Sequence, residues 1–296
     1  MSKIFCIAAS VLVLSAGAAS ARTILFIGNS FTLGSGSAAK NYQAETVHDL
    51  NPPDARGKTI GGEGAIFKEF TKEVGLDYDV SVEVVGGKNF DFHSTEKGQL
   101  LDRAWDEVVM QSYSQLNKDK PGDPSLVIEY SQKLDKMFHA RNPNVKVWFQ
   151  ATWSRADYSS PEIAPWKGKP IDQMAKDVYA GFEKARAASP DTAGVIPVGL
   201  AWNRAWATGV ADSDPTDGIG AGKLNLWTYD SQHGSNAGYI LAALVVFGQI
   251  TGRDPLSLGD REHVAMDLGL SPAQMHALER VAHDELMAHG IKLAMN

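Results

Sequence analysis

What constrains this chain most is the repeated exchange of two periodicities. Short apolar or alternating runs at residues 23–27, 78–85, 105–111, 145–151 and 194–198 carry the pattern of strands. Between and after them, residues 65–74, 94–104, 125–141, 171–188, 200–208, 235–250 and 272–290 read as helices. In 65–74, for example, Ile66, Phe67, Phe70 and Val74 recur at three- and four-residue steps. Strands separated by helices are not joined by tight hairpins. They lie parallel, with crossover helices covering both faces of the sheet. The expected fold is therefore α/β, a three-layer α/β/α flavodoxin-like sandwich around a mainly parallel five-stranded sheet. No internal repeat, low-complexity tract or linker divides residues 22–296, which read as a single domain. Residues 34–64 are polar and irregular, with a short helix expected over 41–50, and read as a surface insertion walling a pocket.

Residues 1–21 stand outside that pattern. Lys3, an apolar run over 4–14 and Ala19-Ser20-Ala21 form a secretory signal peptide with cleavage expected after Ala21. The apolar run is too short for a stable bilayer anchor, so no lasting membrane insertion is expected after cleavage. The single cysteine, Cys6, lies in this segment, which leaves the mature chain without disulfide or thiol chemistry. The expected compartment is the periplasm or the medium. ATP and nicotinamide cofactors are scarce there, which argues against kinases and dehydrogenases, and no cofactor or metal is implied. A net charge of -7 with no dense Lys/Arg run argues against a nucleic-acid partner.

The first strand carries the chemistry. Its run, Thr23 to Ile27, stops at Gly28-Asn29-Ser30, where a parallel strand hands over to a loop or helix. Open α/β sheets bind ligands at the carboxyl ends of their strands, which makes Ser30 a candidate nucleophile. Taken alone, the same serine fits a helix cap better than a nucleophile. The second strand ends in Gly86-Gly87, a pair that can turn backbone N–H groups toward a ligand or simply make a tight turn. The third ends at Gln111-Ser112. Near the far end, Asp230 precedes His233 by three residues, just ahead of a long apolar helix. In a short non-helical turn such a carboxylate reaches one imidazole nitrogen and fixes its tautomer. The other nitrogen is then free to act as a general base toward a serine hydroxyl. The oxyanion that follows needs preorganised donors. The backbone N–H groups of Ser30 and Gly87 and the side-chain amide of Gln111 are the candidates.

These blocks together resemble the SGNH (GDSL-type) hydrolase superfamily of esterases and lipases. Gly28-Asn29-Ser30-Phe31 matches the nucleophile block, Gly86-Gly87 the glycine block and Asp230-Ser231-Gln232-His233 the Asp-x-x-His block. The resemblance implies Ser30 as nucleophile, His233 as base, Asp230 as its partner, and backbone donors at Ser30 and Gly87. Departures are Asn29 for the usual Asp, Phe31 for the usual Leu, and Gln111 in place of the oxyanion asparagine. Carbohydrate-esterase branches of the superfamily look similar in using a glutamine there.

Trp153, Arg155, Trp166, Trp202, Trp206 and Trp227 follow the fourth and fifth strands. Indoles stack on sugar rings or fill cores. Trp153 and Arg155, just past a strand end, are the candidate substrate contacts. The expected function is a secreted serine esterase removing an acyl group, acetyl first, from a carbohydrate. An O-acyltransferase with the same triad, a lysophospholipase or thioesterase, and a non-catalytic glycan-binding module are the alternatives. The Asp212-Ser-Asp214-Pro-Thr-Asp217 cluster reads as a solvated turn, and His276 and His283, seven apart, as solvated side chains.

Overall fold

The computed structural model describes residues 21–53, 57 and 59–295; of the 1–21 segment read as a signal peptide, residues 1–20 lie outside these. Six strands form one sheet: β1 (Arg22–Gly28), β2 (His48–Asp49), β3 (Tyr78–Val84), β4 (Glu107–Gln111), β5 (Lys146–Gln150) and β6 (Gly194–Ile196). Their order is β2-β3-β1-β4-β5-β6, and every neighbouring pair is parallel. The sheet thus has one strand more than the five expected. The extra one, β2, is a two-residue edge strand inside the 34–64 insertion, where His48 pairs with Ser81 and Asp49 with Val82. Two residues carry no readable period, so pairing alone defines it. The helix expected at 41–50 is replaced by 3-10 turns at Ala38–Asn41 and Ala44–Thr46 followed by this strand.

The helices are α1 (Ser30–Leu33), α2 (Gly62–Glu73), α3 (Phe90–Glu96), α4 (Gly98–Leu101) and α5 (Ser125–Arg141). They continue with α6 (Asp172–Ala188), α7 (Val198–Ala207), α8 (Asn236–Thr251), α9 (Val264–Asp267) and α10 (Pro272–Ala288). The single helix expected at 94–104 is two short ones that meet at Lys97, which closes α3 and opens α4. Side-chain alternation along β1 divides the core. Ile24 and Phe26 pack with α2, α7, α8 and α10; Leu25 and Ile27 pack with α3, α5 and α6. All four side chains are fully buried, as a central parallel strand requires.

Strand order places the site. From β1 the chain moves outward to β3 on one side and later to β4, β5 and β6 on the other. This reversal opens a crevice at the carboxyl ends of β1, β3 and β4. On the last helix, His283 is paired through Nδ1 with both carboxylate oxygens of Asp254 at 2.9 Å. His276 lies between Glu279 and Asp260, each at 2.9 Å. The two histidines are therefore tied to carboxylates, and they hold α10 to the loop that precedes it.

Candidate active site

The turn after β1 is built so that Ser30 has nothing else to do. Asn29, not Ser30, caps α1: its Oδ1 accepts the Phe31 N–H at 3.1 Å. The Asn29 amide nitrogen donates to the carbonyls of Lys88 and Ser112, tying the turn to the ends of β3 and β4. Gly28 is required by space, since a Cβ there would sit 2.3 Å from Thr32 Oγ1 and 2.7 Å from Gln111 Oε1.

Across the crevice, residues 226–235 fold back on themselves. Thr228 N–H donates to the His233 carbonyl at 2.8 Å and Ser235 N–H to that of Leu226 at 2.8 Å. Ser231 takes a left-handed conformation (φ 56°) to close the turn. Ser235 then caps α8 by accepting the Gly238 N–H at 3.2 Å. The Ser30 hydroxyl lies 2.8 Å from His233 Nε2, and His233 Nδ1 lies 2.6 Å from Asp230 Oδ2. The second Asp230 oxygen accepts the N–H groups of Gln232 and His233 at 2.9 Å and the Thr228 hydroxyl at 2.7 Å. Partial burial works to raise the Asp230 carboxyl, but these donors outweigh it and hold it far below the usual carboxylate range. An ionised Asp230 fixes the proton on Nδ1 and leaves Nε2 as the acceptor facing Ser30. Such a relay can take a proton from the serine hydroxyl.

The cleft over Ser30 has a volume of about 110 Å³ and is lined by Asn29, Gly87, Gln115, Arg155, Glu162 and Gln232 among others. Gly87 reaches it from a turn closed by Lys88 N–H to the Val85 carbonyl at 3.1 Å, with Gly87 at φ 69°. Among the described residues, the backbone N–H groups of Ser30 and Gly87 make no hydrogen bond, so both remain available to an oxyanion.

Gln111 is not in the cleft, and its place in the oxyanion hole is corrected. It is fully buried beneath the turn, where its Oε1 accepts the Asn29 N–H at 2.9 Å and the Thr32 hydroxyl at 3.1 Å. Its amide nitrogen donates to the Ser112 carbonyl. Among the amides that do line the cleft, with Asn29 and Gln232, is Gln115 in the loop after β4. Its Oε1 accepts the Ser114 hydroxyl at 3.1 Å, while its Nε2 has no partner among the described residues. The sequence signal was present as a second glutamine four residues on. Only the loop after β4 decides which of the two faces Ser30.

Trp153 is corrected as a substrate contact, whereas Arg155 does line the cleft. Trp153 is 0% exposed, stacked on Trp202 with ring centroids 4.4 Å apart, and donates its indole N–H to the Gln232 carbonyl at 3.0 Å. Trp227 is also buried, donating to the Ser154 carbonyl at 2.9 Å and stacked on Trp206 at 5.0 Å. The indoles form a core beneath the His233 turn. Arg155 reaches the cleft wall, but its guanidinium is spent on Asp157 and Glu162 at 2.5–3.0 Å. Burial opposes its charge, and the hydrogen bonds it donates to these two carboxylates overcome that and raise its pKa further.

No protein-family model matches the chain, and no curated protein matches it. Solved structures do. A DUF4886 family protein from Bacteroides uniformis is similar over 93% of this chain and 98% of its own, at TM-score 0.63 and 15% identity. A protein from Slackia heliotrinireducens named for the SGNH hydrolases covers 78% of this chain with 100% of its own length, at TM-score 0.53 and 22% identity. One from Parabacteroides merdae, named for the GDSL-like lipases, covers 78% with 95% of its own length, at TM-score 0.51 and 14% identity. The likeness is one of fold: the chain has the three-layer architecture of the SGNH (GDSL-type) hydrolases.

Proposed function

We propose that this chain is a secreted serine ester hydrolase of the SGNH type that releases a short acyl group, acetyl first, from a carbohydrate ester. One observation carries the reading: the unbroken chain from Ser30 Oγ to His233 Nε2 at 2.8 Å and from His233 Nδ1 to Asp230 at 2.6 Å. Ser30 Oγ attacks the acyl carbon as His233 Nε2 takes its proton. The carbonyl oxygen becomes an oxyanion, accepting from the N–H groups of Ser30 and Gly87 and from Gln115 Nε2. Collapse expels the alcohol, which receives the proton from His233, and leaves the acyl group on Ser30. Water, deprotonated by the same imidazole, attacks that ester; the acid departs and Ser30 regains its proton. Asp230 stays ionised throughout and balances the imidazolium.

The small cleft, about 110 Å³, matches a short acyl group and provides no deep tunnel for a fatty chain. Its walls mix polar Gln115, Arg155 and Glu162 with Phe31 and Tyr113, and give an acyl tail no continuous apolar groove. Secretion rests on the residue 1–21 pattern, and among the described residues no helix is long and apolar enough to cross a membrane. The test compares p-nitrophenyl acetate with longer-chain esters on wild type, Ser30→Ala and His233→Ala. Each substitution is expected to lower kcat by about a thousandfold or more. Equal turnover by wild type and Ser30→Ala would remove the assignment; faster turnover of long chains would remove the short-acyl preference.

A further inference from the structure

Among the described residues, two aromatic side chains are exposed, and both lie on the loops that border the triad. Tyr229 is 93% exposed and immediately precedes Asp230; Tyr158 is 38% exposed on the loop after β5. These loops are joined: Ala156 N–H donates to the Ser231 carbonyl at 2.7 Å, two residues from each tyrosine. Neither loop is slack. The turn around Tyr229 is pinned by the hydrogen bonds of Thr228, Asp230 and His233. The Tyr158 loop is pinned by Arg155 on Asp157 and Glu162. A ring with almost its whole surface in water contributes nothing to the core, yet here it stands on a hydrogen-bonded turn, one residue before the triad carboxylate Asp230. That is the construction of a binding platform: a flat apolar face with a polar tip, held where few rotamers are lost on contact.

We propose that Tyr229, with Tyr158 on the loop hydrogen-bonded to its own, is the subsite for the alcohol part of the substrate, a sugar ring laid with its C–H face on the phenol. This rests on the ester-hydrolase reading above and adds where the leaving group binds. The cleft over Ser30 is small, at about 110 Å³, so an alcohol bulkier than the acyl group reaches past its rim. A sugar ring offers both an apolar face and hydroxyl edges, matching an aromatic platform next to a polar rim. A lipid alcohol would need a continuous apolar surface, and the cleft wall is mixed.

The experiment measures acetate release from a panel of monoacetylated methyl pyranosides and from ethyl acetate, with wild type, Tyr229→Ala, Tyr229→Trp and Tyr158→Ala. Tyr229→Ala is expected to raise KM for the best pyranoside about tenfold, several times more than for ethyl acetate, with Tyr229→Trp restoring it. Tyr158→Ala should do the same to a smaller degree. Equal losses on both esters, no loss on the pyranoside, or a wild type that prefers ethyl acetate would overturn the subsite while leaving the hydrolase reading intact. A wild type inactive on every ester would overturn the hydrolase reading itself, and the subsite with it.

Discussion

The indole N–H of Trp153 donates to the carbonyl of Gln232, one residue before His233, at 3.0 Å. The same ring lies 4.9 Å from that of Phe31, which is itself 5.3 Å from the imidazole of His233. Trp153 therefore touches both halves of the site, the Ser30 turn through Phe31 and the His233 turn through Gln232. Its stacking on Trp202 fixes its own position. The tryptophans that a sequence reader would assign to sugar instead hold the acid–base turn at the right distance from the nucleophile.

Trp153→Phe keeps a ring and removes the donor. It is expected to lower kcat about tenfold with KM changed little, because the loss falls on the alignment of His233 and not on binding. Steady-state kinetics on p-nitrophenyl acetate measure the split. A rise in KM with unchanged kcat would instead restore Trp153 as a substrate contact.

Asp230→Asn leaves the shape of the turn but cannot hold the proton on Nδ1 or balance an imidazolium. A fall in kcat on the order of a thousandfold or more is expected, with folding retained by circular dichroism. A loss under tenfold would mean that His233 does not rely on Asp230 as a base would.

Gln111 and Gln115 should separate. Gln111→Leu leaves the Asn29 N–H and Thr32 hydroxyl buried without an acceptor, each worth about 1–3 kcal/mol, so its main effect is a lower Tm. Gln115→Ala is expected to lower kcat about tenfold to a hundredfold with little change in Tm, as loss of an oxyanion donor does. Thermal melts and kinetics on both variants decide between them; the reverse pattern would return the oxyanion role to Gln111.

Glu63 makes stability depend on pH. It is fully buried at the start of α2, where both its oxygens lie 2.9 Å from Gln150 Nε2. Burial pushes its carboxyl up to about 8 from 4.5, with the Gln150 hydrogen bond pulling weakly the other way. A carboxyl raised in the folded state is neutral there while the unfolded chain ionises. Its contribution to stability is therefore complete below about pH 4.5 and is lost as pH rises to about 8. Glu63→Gln should gain stability relative to wild type as pH climbs through that window, by an amount on the order of a few kcal/mol at its upper end, read as a rising Tm difference. Parallel melting curves from pH 5 to 8 would contradict this.

How much of this was legible in the sequence follows from how local each cause is. The Thr23–Ile27 run, the 125–141 helix and the Asp230-x-x-His233 spacing are set by neighbours a few residues away, and the structure has β1, α5 and the turn at those places. The chain itself therefore dictated an alternating α/β order, a serine at the end of its first strand and a carboxylate within reach of an imidazole. Tertiary structure alone decided what depends on the far side of the sheet. It set the 2.8 Å between residues 30 and 233, which lie 203 positions apart. It added the edge strand at His48, turned Gln115 to the cleft and Gln111 beneath it, and sent the indoles inward while leaving Tyr229 in water. Residue type and spacing limit which groups can meet. Whether an amide or a ring faces substrate or core depends on what packs behind it, and that surface comes from elements distant in the chain.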